Sequence, residues 1–238
     1  MNNIFTLNTV ELGDCKEVIL RLPEKSVNLA LCSPPYPEKR GDKYPTVSEA
    51  DYPTWTARWM DSLVGKLADD GSVLMVIDKH VRNGVMSDFL LLTQLVLRRL
   101  GWKQHMTHIW FKHDGLPLGH RWWPHHCYEE ILWFSRTTHP FCDPSREGVA
   151  RMRDVLVVPV GGNAKGVDHP AKYPPALCEA LIKVFCPEGG TVLDSFAGSG
   201  TTLLAAQATG RNFYGIDIMP QFVDLARRRL AGGSSQAA

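Results

Sequence analysis

Two kinds of apolar pattern alternate along this chain. Continuous short runs, such as Val27 to Cys32 and Ser72 to Ile77, read as strands buried on both faces. Apolar positions at helical spacing, such as Trp55, Trp59, Leu63 and Leu67, read as amphipathic helices. In chain order the pattern predicts a strand from Phe5 to Leu12 ending at Gly13-Asp14, a helix from about Lys16 to Leu22, and the strand Val27 to Cys32. A helix from Tyr52 to Leu67 follows, which Asp70-Gly71 turns into the strand Ser72 to Ile77. Next come a helix from Phe89 to Leu100 and strands from Trp102 to Phe111 and from Tyr128 to Ser135, with weak periodicity between His113 and Pro144. Helix Tyr173 to Phe185, strand Thr191 to Asp194, helix Thr201 to Thr209, a strand ending at Asp217 and helix Gln221 to Leu230 complete the series. Such alternation predicts an α/β fold with a mostly parallel, doubly wound sheet covered by helices. No internal repeat interrupts it, and Gly232 to Ala238 is a small-residue tail expected to fray.

Two strand ends carry chemistry. Val27 to Cys32 is stopped by Ser33-Pro34-Pro35-Tyr36, where two prolines remove backbone donors and fix φ. Carbonyls at such a turn point outward. An outward carbonyl beside the Ser33 hydroxyl can accept both protons of an exocyclic amine on a nucleobase, and Tyr36 offers a ring on which a planar base can stack. The second strand end is Asp194, followed by Ser195-Phe196-Ala197-Gly198-Ser199-Gly200 and a helix, the layout that brings a ligand close to backbone at a helix N-terminus. Asp217 follows Asp194 by 23 residues, near the spacing expected of an acid that binds ribose hydroxyls. No lysine follows Gly200, which disfavours a phosphate-binding loop.

Together these motifs resemble the DNA amino-methyltransferases that use S-adenosylmethionine, and their order, with the tetrapeptide before the glycine loop, resembles the β class. The resemblance runs from Gly13-Asp14-Cys15 through His169-Pro170-Ala171-Lys172-Tyr173-Pro174 to Gly215-Ile216-Asp217-Ile218. It implies a Rossmann-like, S-adenosylmethionine-dependent methyltransferase fold with permuted motif order. It also implies a catalytic turn of Ser33, Pro34, Pro35 and Tyr36. Cofactor contacts are implied from Asp14, Cys15, His169, Pro170, Asp194, Phe196, Ala197, Gly198, Ser199, Gly200, Thr201, Asp217 and Ile218. Asp14 would accept from the amino group of the cofactor's adenine, and Lys172 either meets the methionine carboxylate or is solvated. In this family Ser at the first tetrapeptide position goes with cytosine and Asp with adenine. The implied activity is therefore methylation of cytosine N4 in a short site on double-stranded DNA after base flipping. Its alternatives are adenine N6, then RNA or a protein glutamine amide, then a non-catalytic DNA-binding module. In an open α/β sheet ligands bind where strand order reverses, so the strands ending at Ser33 and Asp194 should be neighbours, with the strand ending at Asp14 beside the one ending at Asp217.

Composition fits one domain, 1–238, carrying small insertions for recognition at about 112–127 and 141–153. A net charge of +1 gives no global nucleic-acid signature. DNA contact is assigned to Lys39, Arg40 and Lys43 in a polar stretch that reads as a lid or a plain surface loop, and to Arg121, Trp122 and His125. Trp122 and Trp123 equally suit core packing, and the cluster Arg146, Arg151 and Arg153 equally suits a solvated loop. Phe196 is open between core and cofactor. His105, His108, His120, His125, His126 and Cys127 lack the paired spacing of a zinc site, so no metal is expected. An odd offset places His105 and His108 on opposite strand faces. Six cysteines without a Cys-x-x-Cys pair, the lack of a signal peptide and of a bilayer-length apolar run point to a cytoplasmic protein with reduced thiols. A homodimer and a cognate restriction endonuclease are left open as partners.

Overall fold

The computed structural model describes residues 6–38, 46–82, 84–116, 125–146, 151–160 and 173–233. Its strands are β1 (Thr9–Leu12), β2 (Val27–Cys32), β3 (Leu67–Ile77), β4 (Val81–Arg82), β5 (Val85–Met86), β6 (Lys103–Leu116), β7 (His126–Ser135), β8 (Val155–Val157), β9 (Thr191–Asp194) and β10 (Asn212–Asp217). Its helices are α1 (Cys15–Leu20), α2 (Tyr52–Ser62), α3 (Phe89–Arg99), α4 (Pro175–Phe185), α5 (Thr201–Ala208) and α6 (Pro220–Gly233). Eight strands form one sheet in the order β1-β10-β9-β2-β3-β7-β6-β8, and β4 and β5 make a separate hairpin.

β7 runs antiparallel to both of its neighbours, and every other pairing in the large sheet is parallel. The sheet is therefore mixed, although mostly parallel. Both faces are covered. In β2, Ala30 and Cys32 join the core built with Val18 and Ile19 of α1, Trp59 and Met60 of α2 and Phe89 and Leu97 of α3. Leu29 and Leu31 point the other way, into the core with Leu181 and Phe185 of α4, Leu203 of α5 and Ala226 of α6. An unbroken apolar run is what a strand with two dry faces requires.

Three expectations are corrected by packing. α2 stops at Ser62 because Leu63 to Lys66 form tight turns and Leu67 already pairs with Val27. Asp70-Gly71 consequently lies inside β3, where the partner register jumps from Val27↔Leu67 to Leu29↔Ser72. The same kind of slip between Gln104 and Met106 in β6 brings both His105 and His108 against Trp133, at 4.8 and 6.1 Å between ring centres. They share a face, contrary to the odd-offset rule. β8, a three-residue edge strand, has no counterpart in the sequence reading.

Close approach between β10 and α5 is set by a glycine. A Cβ on Gly215 would lie 2.4 Å from Leu203 Cδ1 and 3.3 Å from Ala197 Cβ. Leu203 is fully buried, so its methyl would have to shift within a packed core. Gly215→Ala should therefore lower the unfolding free energy by about 1–3 kcal/mol, the usual cost of overpacking, as read from the shift of the urea midpoint against wild type.

Candidate active site

Four parallel strands, β1, β10, β9 and β2, lie side by side and end at one edge of the sheet. Leu29 pairs with Val192 and Ala30 with Leu193, so the Ser33 turn follows β2 next to the loop that follows β9. At the other pair, Leu12 lies opposite Asp217, and Gly13 N–H donates to the Asp217 carbonyl at 3.0 Å. The two adjacencies expected from the reversal of strand order are both present.

The glycine loop is closed by its own bond from Gly200 N–H to the Ala197 carbonyl at 2.7 Å and held by its neighbours. Ala197 N–H donates to the Ile216 carbonyl at 2.8 Å, and Gly198 N–H donates to Asp217 Oδ2 at 2.8 Å. Asp217 Oδ1 also accepts from Met219 N–H at 2.9 Å. Gly198 and Gly200 adopt left-handed conformations, with φ of 50° and 79°. At Gly200 the loop also passes α6 so closely that a Cβ would lie 3.0 Å from Ala226 Cβ. Arg229 of α6 donates to the Ser199 carbonyl. α5 starts at once with Thr201.

Asp194 ends β9 fully buried, and burial pushes its carboxyl up to about 7. Hydrogen bonds from Thr202, Phe196 N–H and Tyr173 pull the other way. The Phe196 bond is 3.0 Å, and the Tyr173 and Thr202 hydroxyls are themselves 2.6 Å apart. Burial also raises Asp217, opposed by its backbone donors. Neither Tyr173, quoted only as part of the stretch His169 to Pro174, nor Thr202 was given a role from the sequence. Their signal was present only as a tyrosine preceding two prolines and a threonine in the first turn of α5.

Other expected residues are placed as follows. Asp14 caps α1, accepting from Lys16 N–H at 3.0 Å and pairing with Lys16 Nζ at 3.1 Å. Cys15 turns its thiol into the core, where burial raises it to about 12. Phe196 is half-buried against Trp55 and Trp59, at 5.7 and 5.3 Å between ring centres, so it packs on α2 while it belongs to the glycine loop. Ile218 is half-exposed just beyond Asp217. Ser33 and Pro35 are partly exposed, and Pro34 is buried. Tyr36 donates its hydroxyl to Glu129 Oε2 at 3.2 Å. His125 is exposed, and His126 pairs with Asp78 at 2.6 Å. Lys39, Arg40, Lys43, Arg121, Trp122, His169, Pro170 and Lys172 lie outside the described residues. Lys112 and Cys127, the ends of the first expected insertion, belong to strands β6 and β7.

The chain is similar over most of its length to known proteins. Type II methyltransferase M.BglII of Bacillus subtilis is 26% identical over 255 residues, covering 95% of this chain and 69% of that protein. M1.MboII of Moraxella bovis is 25% identical over 256 residues, covering 92% and 95%. In structure, the cytosine-N4-specific PvuII DNA methyltransferase superposes with a TM-score of 0.82 at 22% identity, over 95% of this chain and 91% of that one. A Thermus thermophilus protein solved with S-adenosyl-L-methionine superposes with a TM-score of 0.71 at 26% identity, over 96% of both chains. The fold is that of the S-adenosylmethionine-dependent DNA methyltransferases. The N6/N4 methyltransferase family model, described as DNA methylase, matches residues 27–228, and the chain belongs to this family of DNA amino-methyltransferases.

Proposed function

We propose that this protein transfers a methyl group from S-adenosyl-L-methionine to the N4 amine of cytosine in duplex DNA. The observation that carries the reading is Ser33 in the Pro-Pro-Tyr turn, adjoining the Asp194 loop across the β2·β9 pair. The cytosine-N4-specific PvuII enzyme, which shares the fold, supports the choice of base. The residues present fit the cofactor. Ser195 Oγ is buried in the glycine loop with no hydrogen-bond partner among the described residues, a polar atom suited to a ligand group. An ionised carboxylate has about four acceptor positions, so Asp217, beyond the amides of Gly198, Ile218 and Met219, keeps capacity for a ribose hydroxyl. Asp14 likewise keeps capacity for an adenine amine, and half-exposed Ile218 suits an adenine face.

Bound S-adenosylmethionine supplies an electrophilic sulfonium methyl. The chain supplies geometry. Flipping the base costs a few kcal/mol, which stacking on Tyr36 offsets by about 1–3 kcal/mol. Ser33 Oγ and the Pro34 carbonyl accept the two N–H bonds of N4 and aim its lone pair, which is otherwise delocalised into the ring. N4 forms the bond to the methyl carbon as the carbon–sulfur bond breaks, and one N4 proton then leaves to solvent. Placing reactants in line can contribute roughly 7–11 kcal/mol, so positioning carries most of the catalysis. Cys32 takes no part, since burial holds its thiol neutral.

Mass spectrometry of nucleosides from DNA incubated with protein and cofactor should show N4-methylcytosine. N6-methyladenine alone would transfer the reading to adenine, and no methylated base despite cofactor binding would move it to RNA or protein. Ser33→Ala should lower kcat about 10²-fold with cofactor affinity unchanged in calorimetric titration.

Asp217→Ala should weaken cofactor binding by roughly 1.5–3 kcal/mol, the range for hydrogen bonds to a charged group. Its measurement is the same titration, with circular dichroism confirming a retained fold. An unchanged dissociation constant would remove the ribose assignment.

Asp194 predicts a pH dependence. The unfolded chain releases this proton near 3.8 and the folded chain near 7, so the folded state binds more protons between those values. Stability from this group therefore falls as pH rises from about 4 to about 7 and is level above. At 1.36 kcal/mol per unit the fall is on the order of 4 kcal/mol at most. Asp194→Asn should flatten the urea-midpoint profile across that window in the cofactor-free protein.

A further inference from the structure

The two faces of α3 are both apolar, although only one of them packs on the fold. Phe89, Leu90, Thr93 and Leu97 are buried, as the inner stripe of an amphipathic helix requires. On the outer face, where polar side chains are the rule, Leu91, Leu92 and Leu95 retain 58%, 47% and 38% of their exposure. Single exposed leucines are ordinary, but three within five residues on one helix face make a patch. Charge bounds the patch at both ends. Asp88 lies at its N-terminal end and Arg98 and Arg99 at its C-terminal end, all exposed. Asp88 is the cap residue of α3, yet its side chain makes no capping bond. Among the described residues, Asp88, Arg98 and Arg99 have no ion-pair partner.

Asp88, Leu92, Leu95 and Arg99 recur at steps of four, three and four, the spacing of a coiled-coil seam. This seam complements itself in one orientation. When two copies of α3 lie antiparallel about a two-fold axis, Leu92 of each meets Leu95 of the other, and Asp88 of each meets Arg99 of the other. Both contacts then occur twice, as an interface made of the same patch on both copies demands. A parallel pair would set Asp88 against Asp88 and Arg99 against Arg99. Antiparallel packing also brings the positive end of each helix dipole beside the negative end of the other. We propose that the outer face of α3 is a homodimer interface, in which α3 packs antiparallel on α3 of a second copy through Leu92 and Leu95, with the register set by Asp88 pairing with Arg99 across the axis. Three turns of helix bury less than a standard interface of about 1,600 Å², so the dimer is weak, with a micromolar dissociation constant. Its geometry leaves the reactive edge alone. α3 returns from the end of β3 to the start of β6, two strands that run the same way as β2. It therefore starts near the edge that carries Ser33 and Asp194 and ends at the other, and an antiparallel pair points the two reactive edges in opposite directions. Each copy keeps its own open site, whichever base that site takes.

Sedimentation velocity over a hundredfold range of concentration around the micromolar should show the wild type passing from monomer to dimer. Asp88→Arg and Arg99→Asp each turn two attractive contacts into two repulsive ones, and each should raise the dissociation constant about tenfold, less at high salt. An equimolar mixture of these two variants should dimerise as the wild type does, because every charged contact in the mixed dimer again joins opposite signs. Leu95→Glu should stay monomeric at every salt concentration, with an unchanged circular dichroism spectrum and unchanged methylation per chain. A wild type that stays monomeric throughout overturns the proposal, and weaker binding of duplex DNA by Arg99→Asp would then give the face to nucleic acid. A dimer that survives Leu95→Glu, or a mixture that associates no better than either charge variant alone, overturns it equally.

Discussion

The parallel hydrogen bonding of β2 with β9, in register at Leu29 with Val192 and Ala30 with Leu193, is what brings Ser33 beside Asp194. It joins segments far apart in the chain; the bond from Thr191 N–H to Asn28 Oδ1 that backs the pairing closes 163 residues. Loop-closure entropy grows only with the logarithm of length, so closing twice as many residues costs about 0.6 kcal/mol more. Motif order along the chain is therefore a weak thermodynamic constraint, whereas the spatial order of the strands is a strong one. A chain can carry its acceptor turn before its glycine loop, as here, provided the two strands still meet in the middle of a sheet buried on both faces.

That central pairing also explains where charge is tolerated. Asp194 and Asp217 stand at adjacent strand ends, nearly out of contact with water, each raised by burial. A buried carboxylate is costly unless it is hydrogen-bonded. Backbone amides of the glycine loop and of the residues after β10, with the hydroxyls of Thr202 and Tyr173, supply those bonds. The left-handed glycines are what allow the loop to turn its amides toward Asp217. The same polar groups that make the loop foldable thus form a preset edge of carboxylates and amides.

Much of this was legible from residues, and the illegible parts share a cause. β2, β9 and β10 could be read because their apolar runs end in prolines, in a glycine turn or in an acid. The adjacency of β2 with β9 followed from strand-order reversal. The direction of β7 was not legible, since a strand's own residues do not say which way its neighbours run. The shared face of His105 and His108 was hidden by a bulge, which depends on pairing with β7. β8 is too short and too exposed for its pattern to rise above a loop. Glu129 lies within a run read only as a strand, and the fold brings it to Tyr36 across 93 residues. In each case the missing information lies in contacts between elements, not within them.

On the proposed reading, the hydroxyl of Ser33 is a weaker acceptor than a carboxylate would be at the same place, so less of the rate can come from charge at the amine. More must come from alignment. This shifts weight onto whatever holds the base plane still, and aromatic and ionic contacts lie beside both turns. Phe196 is braced by Trp55 and Trp59 on one side of the reactive edge, and Tyr36 is tethered through Glu129 to Lys112 and Trp110 on the other. A neutral acceptor flanked by two braced aromatic residues is the arrangement expected of a site that works by geometry, in which loosening a support should cost turnover before it costs affinity.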